Sequence, residues 1–332
     1  MDLRQLRYFV AAAQAGHMTR AAAELGIQQP PLSLQIKSLE TQLGMPLFVR
    51  HPKGVALTDG GRQFLAEARR ILADMEAMQQ RMARVARGQL GQLAIAFTSS
   101  AAAHAFMPEA LRACRSRFPD IELVLGEDNA AAITEAIAAS KLHAGFLRVP
   151  VARPEGVVLE TLLNEPTVVA LPLDHPLALR PGKGKNKDKD MAIALHELDG
   201  ENLILVRRPG APGLYANLLA LCAAQGVRPN VVAEVDRMMT NLNLVAAGGG
   251  ISVVPASMQG AHPQAIVYRP LAAAAQLDAP LTLAYRAAEC TGATATFVTL
   301  VREIAAGHAK AKRPGAMRAM RAVRASTPRA GA

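Results

Sequence analysis

Between Thr19 and Gly44 the chain reads TRAAAELGIQQPPLSLQIKSLETQLG, and its second half carries the residues best suited to chemistry. Projected as a helix at about 100° per residue, Leu34, Lys37, Ser38 and Thr41 share one side, with Ser33 on its flank. Small hydroxyls and a cation on a narrow helix match what a DNA major groove offers: base-edge donors and acceptors, a thymine methyl, and phosphates at the rim. An ordinary solvated helix of a helical domain would carry the same residues.

Those side chains need a scaffold. Leu32, Ile36, Leu39 and Leu43, spaced 4, 3 and 4, form the opposite stripe, which predicts the buried face. Thr19 is the expected N-cap of a preceding helix that Gly26 ends, and Pro30 and Pro31 sit at the start of the next, where a missing N–H costs nothing. Leu3, Leu6, Phe9, Val10 and Ala13 recur at helical spacing, so a first helix ending at Gly16 packs on the same seam. Two short apolar runs, Pro46 to Val49 and Val55 to Leu57, flank Arg50, His51, Pro52, Lys53 and Gly54, a hairpin-like wing with cations at its tip. Arg50 and Lys53 are placed to contact phosphates, and a solvated turn would look alike.

The first sixty residues closely resemble the N-terminal domain of LysR-type transcriptional regulators. The matching pieces are LRQLRYFVAAAQAGHMTRAA, QQPPLSLQIKSLETQLGMPLFVR and VALTDGG, in order and without gaps. The resemblance continues more loosely to about residue 306. It implies an α+β multidomain protein: a winged helix–turn–helix over 1–58, a linker and dimerisation helix over 59–90, and a two-lobed, periplasmic-binding-protein-like effector domain over 91–306. The candidate DNA-contacting set is Thr19, Gln29, Pro31, Ser33, Leu34, Lys37, Arg50 and Lys53. One position departs from the family pattern: most relatives carry Arg where Leu34 stands. Leu34 points away from the core stripe, and an aliphatic group there suits a thymine methyl rather than the two acceptors of guanine.

Charge is unevenly distributed. Residues 1–90 hold twelve Lys and Arg against seven Asp and Glu, residues 91–306 eighteen against twenty, and residues 307–332 seven against none. Polyanion binding is therefore expected at the two ends. Cys114, Cys222 and Cys290 are widely separated and form no metal-ligand spacing, no HExxH occurs, and no metal or cofactor is expected. Buried thiols in a reducing compartment are the expectation, with thiol redox control as the alternative. No run of eighteen apolar residues appears and MDLRQLRYF has no signal-peptide layout, so a cytoplasmic protein is expected. No nucleophile–base pair, metal cluster or phosphate loop emerges, which argues against an enzyme.

After Thr58, expected to cap the next helix, Phe64, Ala68, Ile71, Met75, Met78, Met82 and Val85 alternate at spacings of 4 and 3. This seam predicts self-association as a dimer or tetramer, and a two-fold dimer predicts a palindromic site on double-stranded DNA.

From Gly91 on, apolar runs alternate with helical stretches, which predicts α/β layers with largely parallel sheets. The resemblance implies lobe I over about 91–163 and 271–306, and lobe II over about 167–268. Polar groups gather at strand ends, where ligands of open α/β sheets sit. Ser99 and Ser100 follow the first strand, Asn129 the second and Arg148 the third, while Arg207 and Arg208 follow Val206. Hydroxyls and helix N-terminal N–H groups suit a carboxylate. Routine capping and surface loops would use the same residues. The resemblance implies that Ser99, Ser100, Asn129 and Val206 to Arg208 line the cleft, with Thr240 reaching it, around a small anionic effector. Residues 182–190, GKGKNKDKD, read as a solvated charged insertion, and the tail 307–332 as a disordered or partly helical basic extension. The expected function is a sequence-specific regulator of transcription, controlled by its effector and acting through RNA polymerase.

Overall fold

The computed structural model describes residues 1–148, 151–180, 191–206, 213–272 and 277–312. Arg207, Arg208, the 182–190 insertion and the tail beyond 312 lie outside the described residues. The chain divides into two compact units, Met1–Arg84 and the chain from Val85 on.

The first unit opens with α1 (Leu3–Ala15), α2 (Met18–Glu24) and α3 (Gln29–Leu43). Leu6, Phe9, Leu32, Ile36 and Leu39 are buried in one core, each such side chain contributing about 1.5–3 kcal/mol. Strands β1 (Phe48–His51) and β2 (Gly54–Leu57) pair antiparallel around a two-residue turn, Pro52-Lys53. The wing is pinned to the end of α1: Val55 N–H donates to Gly16 O at 2.9 Å. Gly54 has φ +138°, and a Cβ there would stand 2.2 Å from Gly16 O, so only glycine fits. Thr58 caps α4 (Asp59–Ala86) as expected, accepting from Gly61 N at 2.8 Å.

The α4 seam divides. Ala68 is fully buried in the unit's own core, Phe64 stacks edge-on to Phe9 with centroids 4.9 Å apart, and Ile71 is packed there too. These three were expected at a dimer contact. Their area is instead spent within the chain, because the first turns of α4 cover the α1–α3 core. Met78, Met82 and Val85 stay exposed and Met75 half-exposed.

Among the described residues, the strands of the second unit form one five-stranded sheet and a second group of two ladders. In the first, β3 (Gly91–Phe97), β4 (Ile121–Glu127), β5 (Ala144–Leu147), β6 (Val157–Glu165) and β12 (Ala279–Arg286) run in the order β4-β3-β5-β12-β6. In the second, β7 (Thr167–Pro172), β8 (Asn202–Val206), β9 (Asn230–Val235), β10 (Ser252–Pro255) and β11 (Ile266–Pro270) form ladders β10-β7-β11 and β8-β9. A parallel bridge, Leu203 to Ile251, joins those ladders. The sheets are less uniformly parallel than expected. β12 in one and β7 in the other are reversed, and their ladders to both neighbours are antiparallel. These are the strands that enter each lobe from the other, so they arrive against the direction of the βα units. The exchanges fall at Pro166 and between Pro270 and Ala279.

Helices cover both faces of the first sheet. α6 (Phe106–Arg117) and α11 (Gly292–Lys312) bury Phe106, Phe146 and Phe297 on one side. α7 (Ala130–Ala138) buries Ile133 and Ile137 on the other. A Cβ on Gly145 would meet Ile133 Cγ2 at 2.4 Å, so the glycine sets how closely α7 approaches β5. In the second lobe α8 (Pro176–Leu179), α9 (Gly213–Ala224) and α10 (Met238–Ala246) contribute to the two cores around β8 and β10.

Candidate functional site

Helix α3 presents the expected outer face. Leu34 is 67% exposed, Lys37, Thr41 and Pro31 are exposed, and Ser33 and Gln29 are half-buried. Pro30 and Pro31 occupy the first turn, so two of the N–H groups that helix starts leave unpaired are absent. Several polar groups of this face are already engaged. Gln29 Nε2 donates to Ser33 Oγ at 2.6 Å, Gln42 Nε2 to Ser38 Oγ at 3.2 Å, and Thr41 Oγ1 to Lys37 O at 2.9 Å. Thr19 does not cap α2. The cap is His17, whose Nδ1 accepts from Thr19 N at 3.2 Å, which places Thr19 as the second helical residue, exposed. Arg50 lies on β1 rather than in the turn, and Lys53 is at the turn itself; both are exposed.

Two residues that sequence reasoning passed over hold this surface together. Glu40 Oε1 accepts from Leu47 N at 2.8 Å and Phe48 N at 3.1 Å, fixing the start of the wing to α3. Gln5, buried on α1, completes a capping box with Asp2 and donates from Nε2 to Gln35 Oε1 at 3.1 Å, tying α1 to α3. A Glu three residues before the end of a predicted helix gives no signal of such a reach.

In the second unit the residues chosen at strand ends separate into two groups. Ser99 opens α5 (Ser99–Ala102) behind its cap Thr98, and Ser99 Oγ accepts from Met238 N, the first N–H of α10, at 3.2 Å. Beside it Arg237 reaches Glu127 at 3.1 Å and Asp128 at 3.9 Å. Asn129 caps α7, accepting from Ala132 N at 3.1 Å. Val206 ends β8, and Thr240 is exposed on α10. The first lobe's α5 and β4 end therefore meet the second lobe's α10 start.

Arg148 belongs to a different arrangement, which corrects its expected role at the ligand. It is 8% exposed and paired with Glu165, and it also donates to Ala279 O at 2.8 Å and Ser100 O at 3.1 Å. Glu165 in turn accepts from Ser257 N at 2.7 Å and Ser257 Oγ at 3.0 Å. Glu165 and Ala279 are the last and first strand residues before and after the lobe exchanges, so Arg148 stitches the hinge instead of facing a ligand. Burial lowers the Arg148 pKa, an effect that the Glu165 carboxylate opposes. Ser100 is buried under the same arginine.

Cys114 and Cys222 are buried in separate cores and Cys290 is half-buried; all three are free thiols. Desolvation raises each thiol pKa above its ordinary value. Among the described residues no group of His, Cys, Asp or Glu has the geometry of a metal site, and no helix is long and apolar enough to cross a membrane.

Two family models match the chain: bacterial regulatory helix-turn-helix protein, lysR family, over residues 3–62, and LysR substrate binding domain over residues 86–306. The chain is 38% identical over 259 residues to the uncharacterized HTH-type transcriptional regulator YnfL of Escherichia coli, covering 78% of this chain and 84% of that one. It is 36% identical over 303 residues to the Hca operon transcriptional activator HcaR of Escherichia coli, covering 91% and 98%. Among solved structures, full-length CbnR complexed with its target DNA aligns with TM-score 0.74 at 29% identity, covering 92% of this chain and 100% of that one.

Proposed function

The chain belongs to the LysR family of DNA-binding transcriptional regulators, not to an enzyme family, and on that premise we propose that it is a ligand-gated regulator of a palindromic promoter site. In this reading two copies pair along the uncovered part of α4, Met75, Met78, Met82 and Val85. They lay two α3 helices into major grooves one helical turn or a multiple of it apart. Arg50, Lys53 and Lys37 meet phosphates, which sets register and affinity. The dimer could pair further to a tetramer. The protein acts in the cytoplasm, where it would meet RNA polymerase.

The effector in this reading is a small carboxylate, seated where Ser99 meets the start of α10. The observation that carries it is the Ser99 Oγ to Met238 N contact across the lobes. A hydroxyl and the first N–H of a helix are both groups that hold an oxyanion. A carboxylate entering there competes for both and changes how the lobes meet. Gating follows only if it binds one lobe arrangement more tightly than the other. Asn129, Val206 and Thr240 complete the wall in this reading.

Isothermal titration of the full chain with a panel of small mono- and dicarboxylates tests this. The expected result is at least one carboxylate that binds the wild type and loses tenfold or more affinity in Ser99→Ala. Binding that Ser99→Ala leaves unchanged would move the site elsewhere.

A further inference from the structure

Leu34 lies outside the hydrophobic core of its own domain. The core side chains of α3, Leu32, Ile36 and Leu39, are all buried, whereas Leu34 is 67% exposed on the far side of the same helix. A single exposed leucine is ordinary on a protein surface. This one lies on a face whose hydroxyls are already engaged. The hydroxyl of Ser33 accepts from Gln29, that of Ser38 accepts from Gln42, and Thr41 donates to the backbone of its own helix. Lys37, one turn on, and Arg50 and Lys53 on the wing are cations that no carboxylate pairs with among the described residues. The outer face of α3 thus carries a cation, Lys37, beside an exposed apolar group, Leu34, and the wing of the same unit adds two further cations. In the major groove the matching apolar group is the pyrimidine 5-methyl, which in unmodified DNA belongs to thymine.

We propose that Leu34 reads the 5-methyl group of one thymine in each half-site. This rests on the DNA-binding reading above and adds the base that one residue selects. Leucine has no donor or acceptor, so the contact excludes water from the methyl and rejects bases without one by the loss of that burial. The opposite strand's adenine is selected only through its partner.

The test is a two-step measurement on the full chain. A selection from random unmodified DNA first gives the preferred site of the wild type. Each thymine in one half-site is then replaced singly by deoxyuridine, which removes the methyl and keeps the pairing, and affinity is measured for wild type and Leu34→Ala. One thymine is expected at which uracil weakens the wild type about three- to fivefold, in line with one buried methyl, and leaves Leu34→Ala unchanged. Leu34→Arg is expected to shift the selected base at that position toward guanine. If no thymine distinguishes the two proteins, the inference is overturned while DNA recognition stands. If the selection returns no preferred site, the DNA-binding reading falls first. Circular dichroism and melting of both variants report folding, which a surface side chain leaves intact.

Discussion

Glu40, in the last turn of α3, accepts the backbone N–H of Leu47 at 2.8 Å, and with the same oxygen that of Phe48 at 3.1 Å. The helix that would enter the groove thereby fixes the strand that carries Arg50. In Glu40→Ala both N–H groups lose their acceptor, at a cost of about 1–3 kcal/mol if water cannot reach them. Glu40→Gln keeps an oxygen at the site and should cost less. The expected outcome is a lower melting temperature and, in Glu40→Ala, a shallower slope of log affinity against log salt, because misplaced wing cations release fewer counterions. An unchanged slope would mean that the wing is positioned without Glu40.

The Arg148–Glu165 pair predicts strong coupling in stability. Both side chains are almost wholly buried, and removing either one strands the other. Breaking such a pair typically costs about 3–5 kcal/mol. Arg148→Met and Glu165→Gln should each destabilise by that order in urea unfolding, and the double variant by much less than their sum. Additive losses would show that each side chain acts through other partners, such as Ser257 or Ala279 O.

How legible this was in the chain depends on the kind of signal. The helices of the first unit follow from apolar stripes at period 3.6 and from glycines at their ends, and β5, β7 and β10 from short runs buried on both faces. β9 and β11 give a weaker signal, because they are mostly exposed or half-exposed. The reversed strands could not be seen, since strand direction depends on which lobe the chain enters from. Arg148 reads the same from sequence whether it meets a ligand or a carboxylate seventeen residues on, and its bond to Ala279 O spans 131 residues. His17 escaped as a cap because its ring nitrogen does work that sequence rules assign to Ser, Thr, Asp or Asn.

Alkaline pH should destabilise the second unit through its tyrosines. Burial pushes the Tyr268 phenol up to about 12 from 10.0 and raises that of Tyr215 further still. Below pH 10 both native and unfolded chains hold these protons, so the stabilisation is fully present. As pH rises from 10 toward 12 the unfolded chain releases protons that the native chain keeps, and stability falls. Tyr268→Phe removes one such group together with its 2.7 Å bond to Ala261 O. The stability difference between wild type and Tyr268→Phe should therefore shrink between pH 9 and pH 11.5 in urea unfolding. A constant difference would place the alkaline loss elsewhere.

The thiols predict slow chemistry. With each pKa raised by burial, little thiolate forms at neutral pH in the native state. Reaction with a disulfide reagent should speed up many-fold on unfolding, with Cys290 the fastest of the three in the native protein. Replacing all three by Ser should leave effector-dependent DNA binding intact. Loss of regulation under oxidant in the wild type alone would favour thiol control instead.

The last prediction concerns self-association. Met78 is 48% exposed and Met82 55% exposed at positions four apart on α4, whereas Ala68 at the other end of the same stripe is wholly covered. A coiled-coil pairing must therefore draw its area from the stripe's later turns, and adaptable methionine side chains suit that contact. Met78→Glu with Met82→Glu places two carboxylates from each copy on the facing surface, where desolvation and like-charge repulsion oppose pairing. The variant is expected to sediment at half the wild-type mass or less, to keep the wild-type helical content, and to lose affinity for a two-half-site operator far more than for a single half-site. Ala68→Glu should behave differently: with no space in the core, it should lower the melting temperature before it changes the mass. If the double glutamate variant keeps its mass, copies of this chain associate through another surface.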